Sequence, residues 1–218
     1  MPDLLEEIFA FTQRIAAPGA VNSLAQLLLK LTSPGVPDLY QGTDDWDFSL
    51  VDPDNRQPVD FARRRRILAD QTISSSMERW RDGGVKTTIV ARTLALRRVL
   101  PLVFAAGSYE PVTAEGSMAD HVVAFMRRHE DGVVLTVVPR LPATLLASPD
   151  KLALDPAAWR GTTLRLTQDL DLKSVLDPEL PPLVERNVAV HRLLGRIPIG
   201  LFSTQAAQGA VPQSTRAG

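Results

Sequence analysis

The residues best suited to chemistry lie in one stretch, 33–61, which reads SPGVPDLYQGTDDWDFSLVDPDNRQPVDF. Its seven aspartates stand at positions 38, 44, 45, 47, 52, 54 and 60. Arg56 is the only basic residue of the stretch, and three aromatic residues, Tyr40, Trp46 and Phe48, are interleaved with the acids. Such carboxylates could bind a cation, accept hydrogen bonds from sugar hydroxyls, or hold the turns of a solvated loop.

The spacing excludes a calcium loop of the EF-hand type. In a loop beginning at Asp52, the first and third positions are Asp52 and Asp54, but the fifth is Arg56. The sixth position, which needs glycine, is Gln57, and the twelfth, which needs a bidentate glutamate, is Arg63. A calcium site of another kind and a solvated acidic turn both stay open; we predict no metal site and no cofactor.

A sugar site accounts for the aromatic side chains better than a solvated turn does. Rings pack against the apolar faces of pyranoses, while carboxylates and amides hydrogen-bond the hydroxyls. We predict five candidate substrate-binding residues in the stretch: Asp44, Trp46, Asp52, Asn55 and Arg56. Arg56 is expected either to clamp the loop by pairing with Asp52 or Asp54, or to donate to substrate hydroxyls.

Helical patterns flank the stretch and strand patterns follow it. Helices are predicted over 3–16, 22–31, 60–80 and 84–100, with a break at Ala17-Pro18-Gly19. Residues 36–42 are predicted as one short buried strand, and 43–60 as an ordered loop. Beyond Pro101 the pattern indicates antiparallel β structure. The strands expected there are 121–128, 133–138 and 162–167, and residues 174–177 and 188–202 can supply more.

Residues 34–43, PGVPDLYQGT, resemble the last barrel strand and following loop of α-amylase-type enzymes, which carry Gly-x-Pro-x-x-Tyr-x-Gly-x-Glu there. The next residues, WDFSLVDPDNR and PVDF, are similar to one branch, the maltooligosyltrehalose synthases. NSLAQ at 22–26, HVVAF at 121–125 and PRL at 139–141 fit the same family, so the resemblance extends to about residue 204. One position departs from the pattern: the family's glutamate after Gly-Thr is Asp44, one methylene shorter.

The resemblance implies a fold of the α/β plus all-β class: the C-terminal end of a (β/α)8 barrel, 1–102, followed by an antiparallel β-sandwich domain, 103–204. Residues 205–218 are small and polar, and we expect a flexible tail there.

The family is an intramolecular transglucosylase that converts the reducing-end α-1,4 link of a maltooligosaccharide into the α,α-1,1 link of trehalose. One carboxylate acts as nucleophile and another as acid/base. In such barrels these residues lie on strand ends before the last strand. The resemblance therefore places them before Met1, and we assign no catalytic residue to this chain.

Two functions are compatible with this sequence. The first is the C-terminal fragment of a (1→4)-α-D-glucan 1-α-D-glucosylmutase of the isomerase class, acting in trehalose biosynthesis on a maltooligosaccharide or glucan. It would be inactive alone and would need an upstream barrel chain as its partner. The second is a non-catalytic remnant that binds glucan or serves as structure.

The composition of the chain argues against several other classes of protein. The chain has 218 residues, of which 44% are hydrophobic and 22% charged, with a net charge of −1; this is typical of a soluble globular protein without the basic excess of nucleic-acid binders. It contains no cysteine, which excludes thiolate chemistry. No apolar run reaches the roughly 18 residues of a membrane span, and the acidic start is unlike a secretory signal. We therefore expect a cytoplasmic location and no membrane partner.

Overall fold

Helices occupy the first half of the chain and strands the second. The computed structural model describes residues 3–70 and 72–205. The helices are α1 Leu4–Thr32, α2 Phe61–Asp70, α3 Ile73–Glu78, α4 Gly84–Val99, α5 Pro101–Ala105 and α6 Val190–Leu193. The strands are β1 Ser108–Pro111, β2 Thr113–Glu115, β3 Val122–His129, β4 Gly132–Pro139, β5 Thr163–Arg165, β6 Lys173–Ser174, β7 Asn187–Ala189 and β8 Gly200–Ser203. Five short 3-10 helices connect them: Asp54–Arg56, Trp80–Asp82, Ala119–His121, Pro142–Thr144 and Pro156–Trp159.

The predicted break at Ala17-Pro18-Gly19 is wrong, because α1 runs through Pro18 without interruption. Proline lacks an N–H, so one backbone hydrogen bond of the helix is lost there. The second half of α1 nevertheless stays helical because it is packed into the core, where Val21, Leu24 and Leu28 are fully buried. Tertiary burial therefore outweighs the local breaker.

The prediction of a buried strand over 36–42 is also wrong. Residues 36–40 carry no strand pairing and are followed by turns, and the side chain of Val36 is 95% exposed. A strand is held by backbone hydrogen bonds to a neighbouring strand. Within the described residues no strand lies beside this segment to form such hydrogen bonds, so the segment stays irregular.

Two antiparallel sheets form the second half. The larger sheet has the strand order β1-β3-β4-β8-β6, and the smaller has the order β2-β5-β7. Strands β3 and β4 form a regular hairpin with Val122 opposite Pro139 and His129 opposite Gly132. The sequence predicted both strands, as 121–128 and 133–138, from their β-branched or alternating residues. It did not predict β1 and β2, whose polar residues Ser108, Glu110 and Thr113 carry little strand signal.

The central strand β4 is buried on both faces. Val134 and Val138 point to the helices and share a core with α1 and α4, whereas Val133, Leu135 and Val137 point to the smaller sheet. The alternation follows from the two-residue period of a strand. The larger sheet is therefore a middle layer between the helices and the smaller sheet.

A buried arginine joins the helices to the larger sheet. Arg127, on β3, is 1% exposed and donates through Nη1 to the Thr32 carbonyl at the end of α1, at 3.3 Å. Its Nη2 donates to the carbonyls of Phe104 (3.1 Å) and Gly107 (3.0 Å), and its Nε to that of Ser108 (2.8 Å). The guanidinium thus holds the ends of two helices and of β1 in one place.

The expected flexible tail, 205–218, lies outside the described residues apart from Gln205. In residues 3–70 and 72–205, no helix combines the length and the apolar character that crossing a membrane requires.

Candidate functional site

The loop between α1 and α2, residues 33–60, has one half fixed on the helices and one half exposed. Tyr40–Thr43 form a turn in which Thr43 N donates to Tyr40 O at 2.9 Å. Gly42 has φ +91°, and a β-carbon there would stand 2.8 Å from Arg64 Nη2. Glycine therefore suits the left-handed backbone of this turn and leaves room for the Arg64 guanidinium. The turn presents the next three residues, 44–46, to the helices.

Asp44 is held by side chains from two helices. Arg64 of α2 donates through Nε to both carboxylate oxygens, at 2.9 and 3.1 Å, and through Nη2 to Gly42 O at 2.7 Å. Thr87 of α4 donates its hydroxyl to Asp44 O at 3.0 Å. Asp44, a predicted substrate-binding residue, therefore already has a fixed partner, and its carboxylate anchors the loop.

Asp45 is a second anchor that the sequence reasoning did not single out. Its side chain forms an ion pair with Arg63, and its Oδ1 accepts from Trp46 N at 2.7 Å. Its backbone carbonyl accepts from Lys86 Nζ at 2.9 Å. Burial lowers the pKa of that lysine. The missing side chain of Gly83, just before α4, makes room for the Asp45 carboxylate, a contact that residue spacing does not indicate.

Trp46 packs as a structural residue. Its indole Nε1 donates to Trp80 O at 2.7 Å, and the ring joins the core shared by the helices and the larger sheet. Lys86 Nζ lies 5.6 Å from the ring centroid, within the range of a cation–π contact. Trp80 is itself buried, and so is Trp159. One face of Trp46 is thus occupied by the protein.

Arg56 pairs with Asp52. Its Nη2 donates to Asp52 Oδ2 at 2.8 Å, and its Nε also contacts that carboxylate. Both side chains are more than half exposed, so the pair adds at most about 1 kcal/mol to stability. The neighbouring Asp54 accepts from Leu50 N at 2.7 Å instead. The geometry of the pair fits a clamp of the loop, while its exposure leaves the guanidinium within reach of a ligand.

A polar cleft of about 140 Å³ opens beside this loop. It is lined by Gln41, Gly42, Trp46, Asp47, Ser49, Asp54, Asn55, Gln57, Pro58, Val59 and Arg64. Of the five predicted residues it gathers Trp46 and Asn55; Asp44, Asp52 and Arg56 do not line it. Ligand pockets usually measure about 300–1,000 Å³. The cleft is therefore too small to enclose a sugar and is suited to forming part of a larger site.

Two polar groups in the cleft bear on its chemistry. Asn55 Oδ1 is buried and has no hydrogen-bond partner in the described part of the chain. Asp47 accepts from the Ser49 hydroxyl at 2.6 Å and from Ser49 N at 2.9 Å, and these bonds lower the pKa of its carboxyl. A general acid needs a raised pKa. Asp47 thus accepts hydrogen bonds and is unsuited to protonating a leaving group.

Aromatic rings stand free at the edge of the loop. Phe48 is 88% exposed and Tyr40 is 52% exposed. They are better placed to meet a sugar ring than Trp46, although Trp46 was the aromatic residue predicted for that role. In residues 3–70 and 72–205, no three His, Asp or Glu side chains are grouped so that they could hold a metal ion.

A larger cleft of about 450 Å³ lies in the β half, between the loop after β6 and the chain around α6. Its floor is apolar and includes Leu183, Ile197 and Phe202. At its rim, Arg196 Nη2 pairs with Asp177 at 2.8 Å and with Glu179 at 2.9 Å. These charges satisfy one another, and none of the predicted residues lies there.

Comparison with known proteins relates these features to a family. No family model matches the chain. Over 133 residues it is 42% identical to a curated protein of Mycobacterium tuberculosis (strain H37Rv) whose assigned name is maltooligosyl trehalose synthase; the match covers 61% of this chain and 16% of that protein. The solved structure of maltooligosyltrehalose synthase from Arthrobacter ramosus matches with a TM-score of 0.72 at 36% identity, over 92% of this chain and 24% of that one.

The chain is similar to the C-terminal part of maltooligosyltrehalose synthases. The resemblance predicted from PGVPDLYQGT and the residues after it is thereby confirmed. A glycosyltrehalose synthase, 24% identical with a TM-score of 0.59, shares the fold. The chain spans about a quarter or less of the length of the maltooligosyltrehalose synthases that it matches.

Proposed function

We propose that this chain is the C-terminal part of a (1→4)-α-D-glucan 1-α-D-glucosylmutase, which converts maltooligosaccharides into trehalose-ended products, and that it is inactive alone. The observation that carries the proposal is the structural match of 92% of the chain to the Arthrobacter ramosus enzyme. In this proposal residues 1–102 end a (β/α)8 barrel, and residues 103–204 form an antiparallel sandwich. The enzyme would be cytoplasmic.

The chemistry of the proposal assigns a binding role to the loop. A retaining transglucosylase needs a nucleophile and an acid/base some 5–5.5 Å apart. We assign neither role to a loop carboxylate, because Asp44, Asp45 and Asp52 pair with arginines and Asp47, Asp54 and Asp60 accept from backbone N–H groups. Catalysis is therefore assigned to the upstream part of the enzyme.

The loop would line one wall of the sugar site. Asn55 brings an unpartnered acceptor, and the Asp52–Arg56 pair brings exposed donors and acceptors. Asp44 and Trp46 would act by fixing the loop against α2 and α4 as well as by contacting substrate. The exposed rings of Tyr40 and Phe48 would pack on pyranose faces.

A covalent chimera tests the proposal. The upstream part of the Arthrobacter ramosus enzyme is fused to this chain in place of its own matched region, and maltopentaose conversion to a non-reducing product is assayed. We expect conversion by the chimera and none by this chain alone. A folded chimera without activity would reject the proposal. Turnover by this chain alone, abolished by Asp52→Ala, would instead make the loop itself catalytic.

The second candidate is a non-catalytic glucan-binding module, favoured by one observation: Phe48 and Tyr40 stand exposed beside a polar cleft. Titration of this chain with maltopentaose, followed by NMR or calorimetry, separates the two. Saturable binding that is lost in Phe48→Ala, together with an inactive chimera, would support the module.

A further inference from the structure

The first half of α1 is left uncovered by the rest of the described residues, apart from a hydrogen bond that Arg81 donates to Gln13 Oε1 at 3.3 Å. Residues 3–15 are all exposed, although six of them are large and apolar. These six define the α1 outer face: Leu4 (67% exposed), Leu5 (60%), Ile8 (48%), Phe9 (66%), Phe11 (51%) and Ile15 (45%). Soluble proteins seldom leave so large an apolar surface uncovered unless it serves as an interface.

The α1 outer face points away from the rest of the protein. With about 100° per residue, the six side chains span an arc of roughly 160° on one side of the helix. The buried residues of the second half, such as Val21, Leu24 and Leu28, centre roughly 150° away from it. One helix therefore carries two apolar faces on opposite sides, and only the second is covered by the described residues.

The width of the arc indicates the kind of partner. A two-stranded coiled coil uses a narrow seam, whereas an apolar arc of about 100° or more is typical of a helix packed into a globular core. Polar residues, among them Glu6, Gln13 and Arg14, occupy the remaining side. This arrangement fits insertion against a folded body and leaves one side in solvent.

The comparisons indicate where that body comes from. The matched region is the C-terminal part of its relatives and only 24% of the Arthrobacter ramosus chain, so most of that enzyme lies N-terminal to it. Segment 36–40 pairs with no strand in the described residues, and although Leu39 packs against the core, the side chain of Val36 is a second uncovered apolar surface. Both surfaces belong to the half of the chain that would adjoin the upstream part.

We propose that the α1 outer face is the docking surface for the upstream polypeptide of a maltooligosyltrehalose synthase, which packs an apolar helical or strand surface against Leu4, Ile8 and Phe11. The proposal rests on the proposed function for the identity of that polypeptide. It goes further by assigning the contact to one face of one helix.

Amide hydrogen exchange of residues 4–15 tests the contact. In this chain alone those amides should exchange with little protection, because the half-helix is exposed on every side. In the Arthrobacter ramosus chimera they should exchange at least about 100-fold more slowly, as expected for amides that open only with the global unfolding of a packed element. Equal exchange in both proteins would overturn the proposal.

A matched pair of variants in the chimera isolates the face. Ile8→Asp and Ala10→Asp each add one carboxylate to the same exposed helix, but only Ile8 belongs to the α1 outer face. Ile8→Asp should remove the protection and lower Tm, whereas Ala10→Asp should leave both nearly unchanged. Identical behaviour of the two variants would overturn the proposal.

Two further outcomes are distinguishable. A chimera that is protected at residues 4–15 but inactive supports the docking surface and rejects the proposed activity. If the chimera does not fold, the two parts are co-expressed as separate chains with a tag on the upstream part; retention of this chain, lost in Ile8→Asp, supports the proposal, and no retention overturns it. Self-association of this chain alone that Ile8→Asp abolishes would also overturn it, because a second copy would then be the occupant.

Discussion

Replacing Arg127 by methionine tests how the two halves of the fold are joined. Methionine keeps much of the apolar stem but removes every donor that reaches Thr32, Phe104, Gly107 and Ser108. No carboxylate lies within ion-pair distance of this guanidinium in the described residues. The arginine therefore acts through hydrogen bonds to backbone carbonyls, three of them at or just beyond the ends of helices, where a cation is favoured.

The size of the effect follows from two opposing terms. Each buried acceptor left without a donor costs about 1–3 kcal/mol. Removing the guanidinium also removes the cost of burying a charge, which is visible in the lowered pKa of Arg127. With four acceptors affected, we expect a net loss of roughly 2–4 kcal/mol in the free energy of unfolding. For a chain of this length that lowers Tm by roughly 4–16 °C.

Urea denaturation followed by tryptophan fluorescence and far-UV circular dichroism measures this loss. The control is Arg128→Met, at the next residue of β3, whose Nε pairs with Glu110 at 3.2 Å in a partly exposed setting. That variant should lose less than about 1 kcal/mol. Arg127→Lys should fall between the two, because one ammonium cannot reach four carbonyls. If Arg127→Met unfolds at the same urea concentration as Arg128→Met, the joining role of Arg127 is refuted.

Three further predictions concern the loop and the sheet edge. Gly83→Ala should lower the free energy of unfolding by about 1–3 kcal/mol, because Gly83 has φ +82° and a β-carbon would stand 1.5 Å from Asp45 Oδ1. The control is Gly161→Ala, where φ is +74° but no atom lies within 4 Å, so that only backbone strain acts. Equal urea midpoints for the two variants would contradict a steric clash at Gly83. Arg56→Lys should shift Tm by less than about 2 °C, because the ion pair with Asp52 is exposed. A fall of about 10-fold or more in maltopentaose turnover by the chimera would identify a contact with substrate. Unchanged turnover would remove Arg56 from the site. The pKa of Glu110 is lowered by the Ser108 hydroxyl and then by Arg128. The ionised carboxylate therefore adds its full contribution to the free energy of unfolding above the unfolded pKa of about 4.3, and this contribution is lost as pH falls through the lower pKa of the folded state. Glu110→Gln should reduce the loss of stability in acid by less than about 1 kcal/mol, and a profile of urea midpoints from pH 6 to 3 that the substitution leaves unchanged would contradict this.

The sequence predicted those elements whose own residues determine them. The hairpin of β3 and β4 is rich in valine and closes over a short turn, and α4 begins just after Asp82-Gly83, so these local signals agree with the fold. The continuous α1 and the irregular 36–42 were missed because both depend on what surrounds them. Pro18 is tolerated because the turns after it are packed, and 36–42 lacks a strand to pair with.

The loop that carries the candidate residues was predictable as a segment, but the contacts of its side chains mostly were not. The sequence predicted an ordered loop over 43–60 and a pairing of Arg56 with Asp52 or Asp54, and the structure shows the pair with Asp52. The anchors of the loop could not be read in the same way, because the partners of Asp44 and Asp45 lie some 20–40 residues away on α2 and α4. Partners so distant in sequence are fixed only once the helices have packed.

The burial of β4 on both faces has a consequence for how the chain assembles during synthesis. Its neighbour β3 precedes it directly, but its other neighbour, β8, is the last strand of the sheet, and Val134 pairs with Ser203. Until residues 200–203 have left the ribosome, β4 stays an open edge with apolar side chains on both sides, which is the arrangement most prone to pair with another chain. If translation terminates prematurely between β4 and β8, the released chain has its most aggregation-prone strand uncovered.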